Sequence, residues 1–202
     1  MEKVLIIFAK NPVKSKVKTR LAATIGDEQT LLIYRQLLSK TFKVTRDIVY
    51  HKFVFYSDFI DENDIWENNL YQKKLQEGND LGDRMKSAFK TLFTDGYNKI
   101  VIIGTDCFEL EQEDIEQAFS LLDHSKVVIG PATDGGYYLL GMSEFMRVLF
   151  ENIEWSTNWV FDQTMAACKA MNVNVSLLRK LNDIDTMEDL KREPALLNML
   201  KK

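Results

Sequence analysis

The run Ile100-Val101-Ile102-Ile103-Gly104-Thr105-Asp106 decides the fold. Its apolar, β-branched opening predicts a strand buried in the middle of a sheet, and it runs straight into a glycine and a carboxylate at its C-terminal end. Outward from it, Val4 to Ala9, Lys52 to Tyr56 and Lys126 to Gly130 have the same short, β-rich character. Segments of helical period separate them. Glu28 to Asp47 carries Leu31, Leu32, Tyr34, Leu37, Leu38, Phe42 and Val44 as one broad apolar stripe, and Asp80 to Phe93 and Glu111 to Leu122 repeat the device. Such alternation predicts an α/β fold with a mostly parallel sheet flanked by helices. Tyr137-Tyr138-Leu139-Leu140 follows a two-glycine turn and predicts an antiparallel return strand, which makes the sheet mixed. A helix from Asn158 to Met171, a strand from Val173 to Leu177 and a final helical segment complete the chain, the last opened by Asp185 as cap with Glu188 three residues on.

A chain of 202 residues suits one domain, residues 1–202, and only three prolines with no Pro-, Gly- or Ser-rich linker argue against a boundary. The formal charge of −4 excludes a general nucleic-acid binder, which needs clustered Lys and Arg over a whole face. Cys107 and Cys168 lie far apart without metal-ligand spacing, as expected of free thiols in a reducing compartment. The first apolar run is too short for a signal-peptide core, and no stretch approaches the roughly 20 residues of a membrane span, so a cytoplasmic location is expected.

Chemistry concentrates at three strand ends. After the first strand comes Lys10-Asn11-Pro12-Val13-Lys14-Ser15-Lys16-Val17-Lys18-Thr19-Arg20-Leu21, a basic loop in an acidic protein. Lys18 and Arg20, with Lys14 beside them, are the candidates for phosphate contact, since Arg grips phosphate oxygens bidentately and Lys approaches as a point charge. A solvated loop without ligand is the plainer reading. The Walker spacing is absent. At the second strand end, Asp106 faces that loop and is suited to hold Mg²⁺ or Mn²⁺ against diphosphate oxygens, with Gly104 and Thr105 beside the nucleotide. Capping of the next turn is its alternative. At the third, Gly130-Pro131-Ala132-Thr133-Asp134-Gly135-Gly136-Tyr137-Tyr138 brings Asp134 to the same edge, or else forms an ordinary Asp-Gly turn.

Lys18-Thr19-Arg20-Leu21, Leu81-Gly82-Asp83-Arg84-Met85, Gly104-Thr105-Asp106-Cys107, Gly130 to Leu139 and Trp155-Ser156-Thr157 occur in this order, and together they resemble the DUF2064 family of GT-A-fold, nucleotide-diphospho-sugar-transferase-like proteins. Members are described as candidate glycosyltransferases, some associated with arsenosugar biosynthesis. The resemblance extends to Asn182-Asp183-Ile184-Asp185-Thr186 and implies a single GT-A-like domain. The Lys-Thr-Arg-Leu loop is also similar to that of guanylyltransferases that activate phospholactate. By resemblance, Asp106 holds the metal, Lys18 and Arg20 take the phosphates, and Asp134 lies on the acceptor side with Gly135, Gly136, Tyr137 and Trp155. Asp183 is favoured as second metal ligand because Asp185 is accounted for as a helix cap. Arg84 is a phosphate partner or a surface ion pair, and Trp155 a stacking face or a rim packing residue.

Two positions depart from the family pattern. Ser15 replaces the usual Gly, restricting access to positive φ, and Phe108 replaces the usual Pro. The expected function is metal-dependent glycosyl transfer from a nucleotide sugar to a small-molecule acceptor. Nucleotidyl transfer onto a small phosphorylated substrate and non-catalytic nucleotide binding are the alternatives. Oligomeric state is left open.

Overall fold

The structure is a computed structural model that describes residues 2–201. In chain order the elements are β1 (Lys3–Ala9), α1 (Thr19–Ile25), α2 (Asp27–Arg46), β2 (His51–Tyr56), β3 (Gln72–Leu75), α3 (Leu81–Thr94), β4 (Lys99–Ile103), α4 (Gln112–Leu121), β5 (Val127–Pro131), β6 (Tyr137–Met142), α5 (Val160–Ala170), β7 (Val175–Leu177), α6 (Met187–Lys191) and α7 (Pro194–Leu197). The strands form one seven-stranded sheet in the order β3-β2-β1-β4-β6-β5-β7. All neighbours run parallel except β6, which is antiparallel to both β4 and β5.

Two cores flank this sheet because its central strands are apolar on both faces. In β1, Leu5 and Ile7 point to one side, where they meet Tyr34 and Leu37 of α2 and Phe119 of α4. Val4 and Ile6 point to the other, where Met85, Phe89 and Leu92 of α3 and Cys168 of α5 cover them. Both thiols are free and buried, and burial pushes their pKa values up. Among the described residues no helix is long and apolar enough to cross a membrane.

Three expectations need correction. The strand β3 is missing from the sequence reading because Gln72-Lys73-Lys74-Leu75 carries no apolar alternation; it is an edge strand, where lysines protect an open ladder. The basic segment does not stay a loop as far as Leu21, since α1 begins at Thr19. Most consequentially, Asp185 does not cap the last helical segment. Thr186 does: its hydroxyl accepts from the Asp189 amide, and the Asp189 carboxylate accepts from the Thr186 amide at 2.8 Å. Asp185 is thereby released for other work.

Candidate functional site

The carboxyl ends of β1 and β4, the β5–β6 turn and the start of α3 surround a cleft of about 870 Å³. Ligands are expected at this edge of an open α/β sheet. The basic loop forms one wall. Asn11, almost fully buried, ties its beginning to the end of β2: the carboxamide donates to Phe59 O at 2.8 Å and accepts from the amides of Asp58 and Phe59. Tyr34 of α2 holds the same loop from below, donating to Lys10 O and accepting from Lys10 N, both at 3.0 Å. Its hydroxyl also lies 3.3 Å from the Thr105 hydroxyl, so one phenol registers the basic loop against the end of β4. Burial, then the charge of Asp106, pushes the Tyr34 pKa up and keeps it neutral.

Ser15 takes positive φ after all, at 66°, and its hydroxyl donates to Asp27 at the start of α2. The side chain thus compensates locally for the conformation that Gly adopts freely. Phe108, the other departure, packs its ring onto the α2 side of the core, with the Lys40 ammonium 5.9 Å from the centroid.

Lys18 is the second left-handed residue of this loop, at φ 48° and ψ 48°, and it precedes α1 without giving that helix a side-chain cap. Such a backbone costs on the order of 1–3 kcal/mol and persists only where its surroundings enforce it. Here they do. The Lys18 ammonium, only 4% exposed, sits 2.9 Å from Asp106 and 2.7 Å from Asp185, 167 residues away in sequence. Burial opposes the charge, but the two carboxylates outweigh it and raise the Lys18 pKa. Burial likewise opposes charge on Asp185, yet Lys18, with Arg20 and Lys10 behind it, holds that carboxyl below its usual range.

The segment from Leu181 to Asp185 reaches the site because it is stitched between two strand ends. Leu181 bridges to Ala132 beyond β5, Asp183 pairs antiparallel with Cys107, and the Ile184 amide donates to Asp106 O at 2.9 Å. Asp183 is consequently carried in beside Asp106. Its pKa is pushed up to about 8, first by burial and then by the negative charge of Asp106, against the opposing pull of Lys18.

On the opposite wall, the Asp134 carboxylate accepts from the Gly136 amide at 2.9 Å, an Asx turn that leaves Asp134 exposed over the cleft. Gly135, at φ 91°, abuts α5: a Cβ there would lie 2.1 Å from the Asn158 carbonyl oxygen, and the Phe161 amide donates to Gly135 O. Gly135→Ala should therefore cost at least ~2 kcal/mol in chemical denaturation. Gly96→Ala, at φ 97° with open space around the added carbon, should cost only about 1 kcal/mol. Equal losses would show that the turn is not locked against α5.

The remaining candidates divide. Gly104 lines the cleft and an added Cβ there would meet no protein atom, so open space adjoins the backbone. Arg20 and Arg84 also line it, and among the described residues Arg84 donates only to the neutral acceptors Gly78 O and Gln76 Oε1. Trp155 lines the cleft while its indole lies against Gly82, where a Cβ would approach within 2.0 Å, and stacks on Phe150 at 6.4 Å. Tyr137 packs into the α3 side of the core and contributes to the wall. Lys14 is not brought to the cleft; it is exposed and pairs with Glu28 at 2.7 Å. Tyr34 is not singled out by the sequence, and Asp185 is set aside there in favour of Asp183. The only sequence signal for the first is a hydroxyl within a helical apolar stripe, and the second was masked by the mistaken cap.

Asp106, Asp183 and Asp185 offer oxygen ligands alone, the donor set of a hard cation. No three-residue cluster within metal-holding reach is formed among the described residues. Mg²⁺-type sites commonly use one or two carboxylates and complete the shell with substrate phosphate, which the Asp106–Asp183 pair fits.

Together, this sheet order with its single reversed strand and its cleft define a GT-A-like fold of the nucleotide-diphospho-sugar-transferase type. The chain belongs to the DUF2064 family, described as "Uncharacterized protein conserved in bacteria", whose model matches residues 40–157. It is similar to a "putative nucleotide-diphospho-sugar transferase" from Desulfovibrio desulfuricans G20, with 28% identity, TM-score 0.88, and coverage of 100% of this chain and 96% of that one. More distant likeness, in fold alone, extends to 4-diphosphocytidyl-2C-methyl-D-erythritol synthase from Anaerococcus prevotii DSM 20548, with 11% identity, TM-score 0.63, and 98% and 96% coverage. Rv0371c of Mycobacterium tuberculosis H37Rv, crystallised with manganese, is similar at 12% identity, TM-score 0.59, with 95% and 97% coverage. A comparison with curated proteins gives no match.

Proposed function

We propose that this protein is a transferase that binds a nucleoside-diphosphate sugar in the cleft and passes the sugar to a small acceptor. The observation that carries the reading is the meeting of Lys18, Asp106 and Asp185 within 2.9 Å beside an open, glycine-floored strand end. Likeness to the Desulfovibrio protein supports the donor class. Asp106 and Asp183 would hold a divalent ion, which when bound supplies Lewis-acid charge for a departing diphosphate. Lys18, Arg20 and Arg84 bring further positive charge to the phosphates, and Gly104 admits them close to the backbone. Asp134, exposed on the far wall, would orient an acceptor hydroxyl and take its proton, while Gly136, Tyr137 and Trp155 line that side and Gly135 sets the turn behind it. Stabilisation of charge and positioning would do most of the catalysis.

Nucleotidyl transfer is the second reading, favoured by the Lys-Thr-Arg-Leu loop, which places Lys18 and Arg20 against the cleft where a triphosphate would also bind. Product analysis separates the two. Incubation with a panel of nucleotide sugars and Mn²⁺ should release a nucleoside diphosphate; no release from any donor, together with pyrophosphate release from GTP or CTP, would establish the second reading instead.

A further inference from the structure

Behind the wall formed by Asp134, Asp183 and Asp185 lies a second hollow of about 360 Å³, opening between α1 and α6. Arg20 and Arg192 both line it. Among the described residues neither guanidinium lies within ion-pairing distance of a carboxylate, although acids surround them. Three of those acids have partners of their own. Asp185 is paired with Lys18, the Asp134 carboxylate accepts from Gly136, and one oxygen of Asp189 accepts from the Thr186 amide, the Thr186 hydroxyl and the Asp185 amide.

Arg192 is nonetheless held in place. Its Nη1 donates to Asn182 Oδ1 at 3.2 Å, and the same oxygen accepts from the Thr133 hydroxyl at 2.6 Å, so one buried carboxamide ties together two residues that line the hollow. An arginine anchored through a single N–H to a neutral oxygen keeps most of its fork for a ligand, and a planar fork matches an oxyanion. Arg20, exposed at the first turn of α1, lines both the hollow and the main cleft.

We propose that this hollow binds an oxyanion, phosphate or carboxylate, carried by the second substrate, so that the acceptor is a small acid whose charged end lies between Arg20 and Arg192 and whose hydroxyl reaches Asp134. This rests on the transferase reading for the word acceptor, but the binding of the anion does not. The full chain is titrated with inorganic phosphate and, separately, with acetate, by calorimetry. Whichever oxyanion binds identifies the acid, and Arg192→Gln should weaken it by about tenfold or more, with Arg192→Lys recovering part. Lys14→Gln, a surface change away from both cavities, should leave it unchanged. Weakening by Arg84→Gln but not by Arg192→Gln, or no binding of either anion, would overturn the inference. So would a loss of GTP affinity without loss of GDP affinity in Arg192→Gln, since the hollow would then take the donor's terminal phosphate. Failure of sugar transfer with every donor leaves the phosphate and acetate results standing, so the two readings fail separately.

Discussion

Lys18→Met should abolish turnover and also destabilise the protein. The ammonium is buried and bonded to two carboxylates, and removing it leaves Asp106 and Asp185 facing one another without a counter-charge. Both carboxylates are about two-fifths exposed, at 41% and 43%, so water screens part of the repulsion. A stability loss of about 1–3 kcal/mol is expected, in the range for hydrogen bonds to charged groups and below that for a fully buried pair. Activity should fall by on the order of a hundredfold or more if, as proposed, the lysine faces the phosphates of the donor. Mn²⁺ should raise the melting temperature of Lys18→Met by more than that of the parent chain, since a dication would relieve the carboxylates that the ammonium no longer neutralises. Wild-type activity in Lys18→Met would remove the lysine from the site, and an equal metal-induced shift in both proteins would remove Asp106 from the metal.

The second large effect concerns Asp183. Its pKa in the folded chain is about 8, against 3.8 for an ordinary aspartate. Between these values the folded protein holds a proton that the unfolded chain has released, so stability from this group is complete below pH 3.8 and drains away as the pH rises through about 8. Asp183→Asn, which cannot ionise, should melt at a higher temperature than the parent in chelator near pH 8, and the advantage should vanish toward pH 4. Metal affinity should move oppositely. A ligand must lose its proton to bind, so Mn²⁺ affinity of the parent should climb between pH 6 and 8 by up to about tenfold per unit and remain weak and flat in the variant. A pH-independent affinity in the parent would remove Asp183 from the coordination shell.

Much of the architecture was legible because its causes are local. Each buried central strand is a short apolar run, and each crossover helix carries a stripe of period near 3.6, so β1, β2, β4, β5 and α2, α3, α4 could be drawn without tertiary information. The reversed strand β6 was legible from its glycine turn. Strand β3 was not, since an edge strand needs only one paired side and its lysines carry no pattern. Lys18, Asp106 and Asp134, which all line the cleft, could be singled out because charged residues near strand ends stand out against apolar runs, and Gly104 because it breaks such a run just before Asp106. Asp185 was lost to a one-residue error: Asp185 with Glu188 and Thr186 with Asp189 both satisfy the capping spacing, and only the hydrogen bonds choose between them. That error also hid the partner of Lys18, because an ion pair spanning 167 residues leaves no periodicity to read. Ser15 misled in the other direction, since its side chain reaches Asp27 and makes a glycine conformation tolerable.

The reversal of β6 divides the cleft by how its loops are connected. Segments on the β1 and β4 side are threaded through helical crossovers and sunk into the molecule at both ends, so altering them disturbs a whole layer. Asp134 arrives instead on a hairpin tied at Ala132 and Thr133 to Leu181 and Asn182, and at Gly135 to the segment that leads into α5. An insertion at that tip would therefore be felt on two sides, by the Trp155 to Asn158 segment and by the Leu181 to Asp185 segment that delivers two carboxylates, while the helix-threaded half of the cleft stays put.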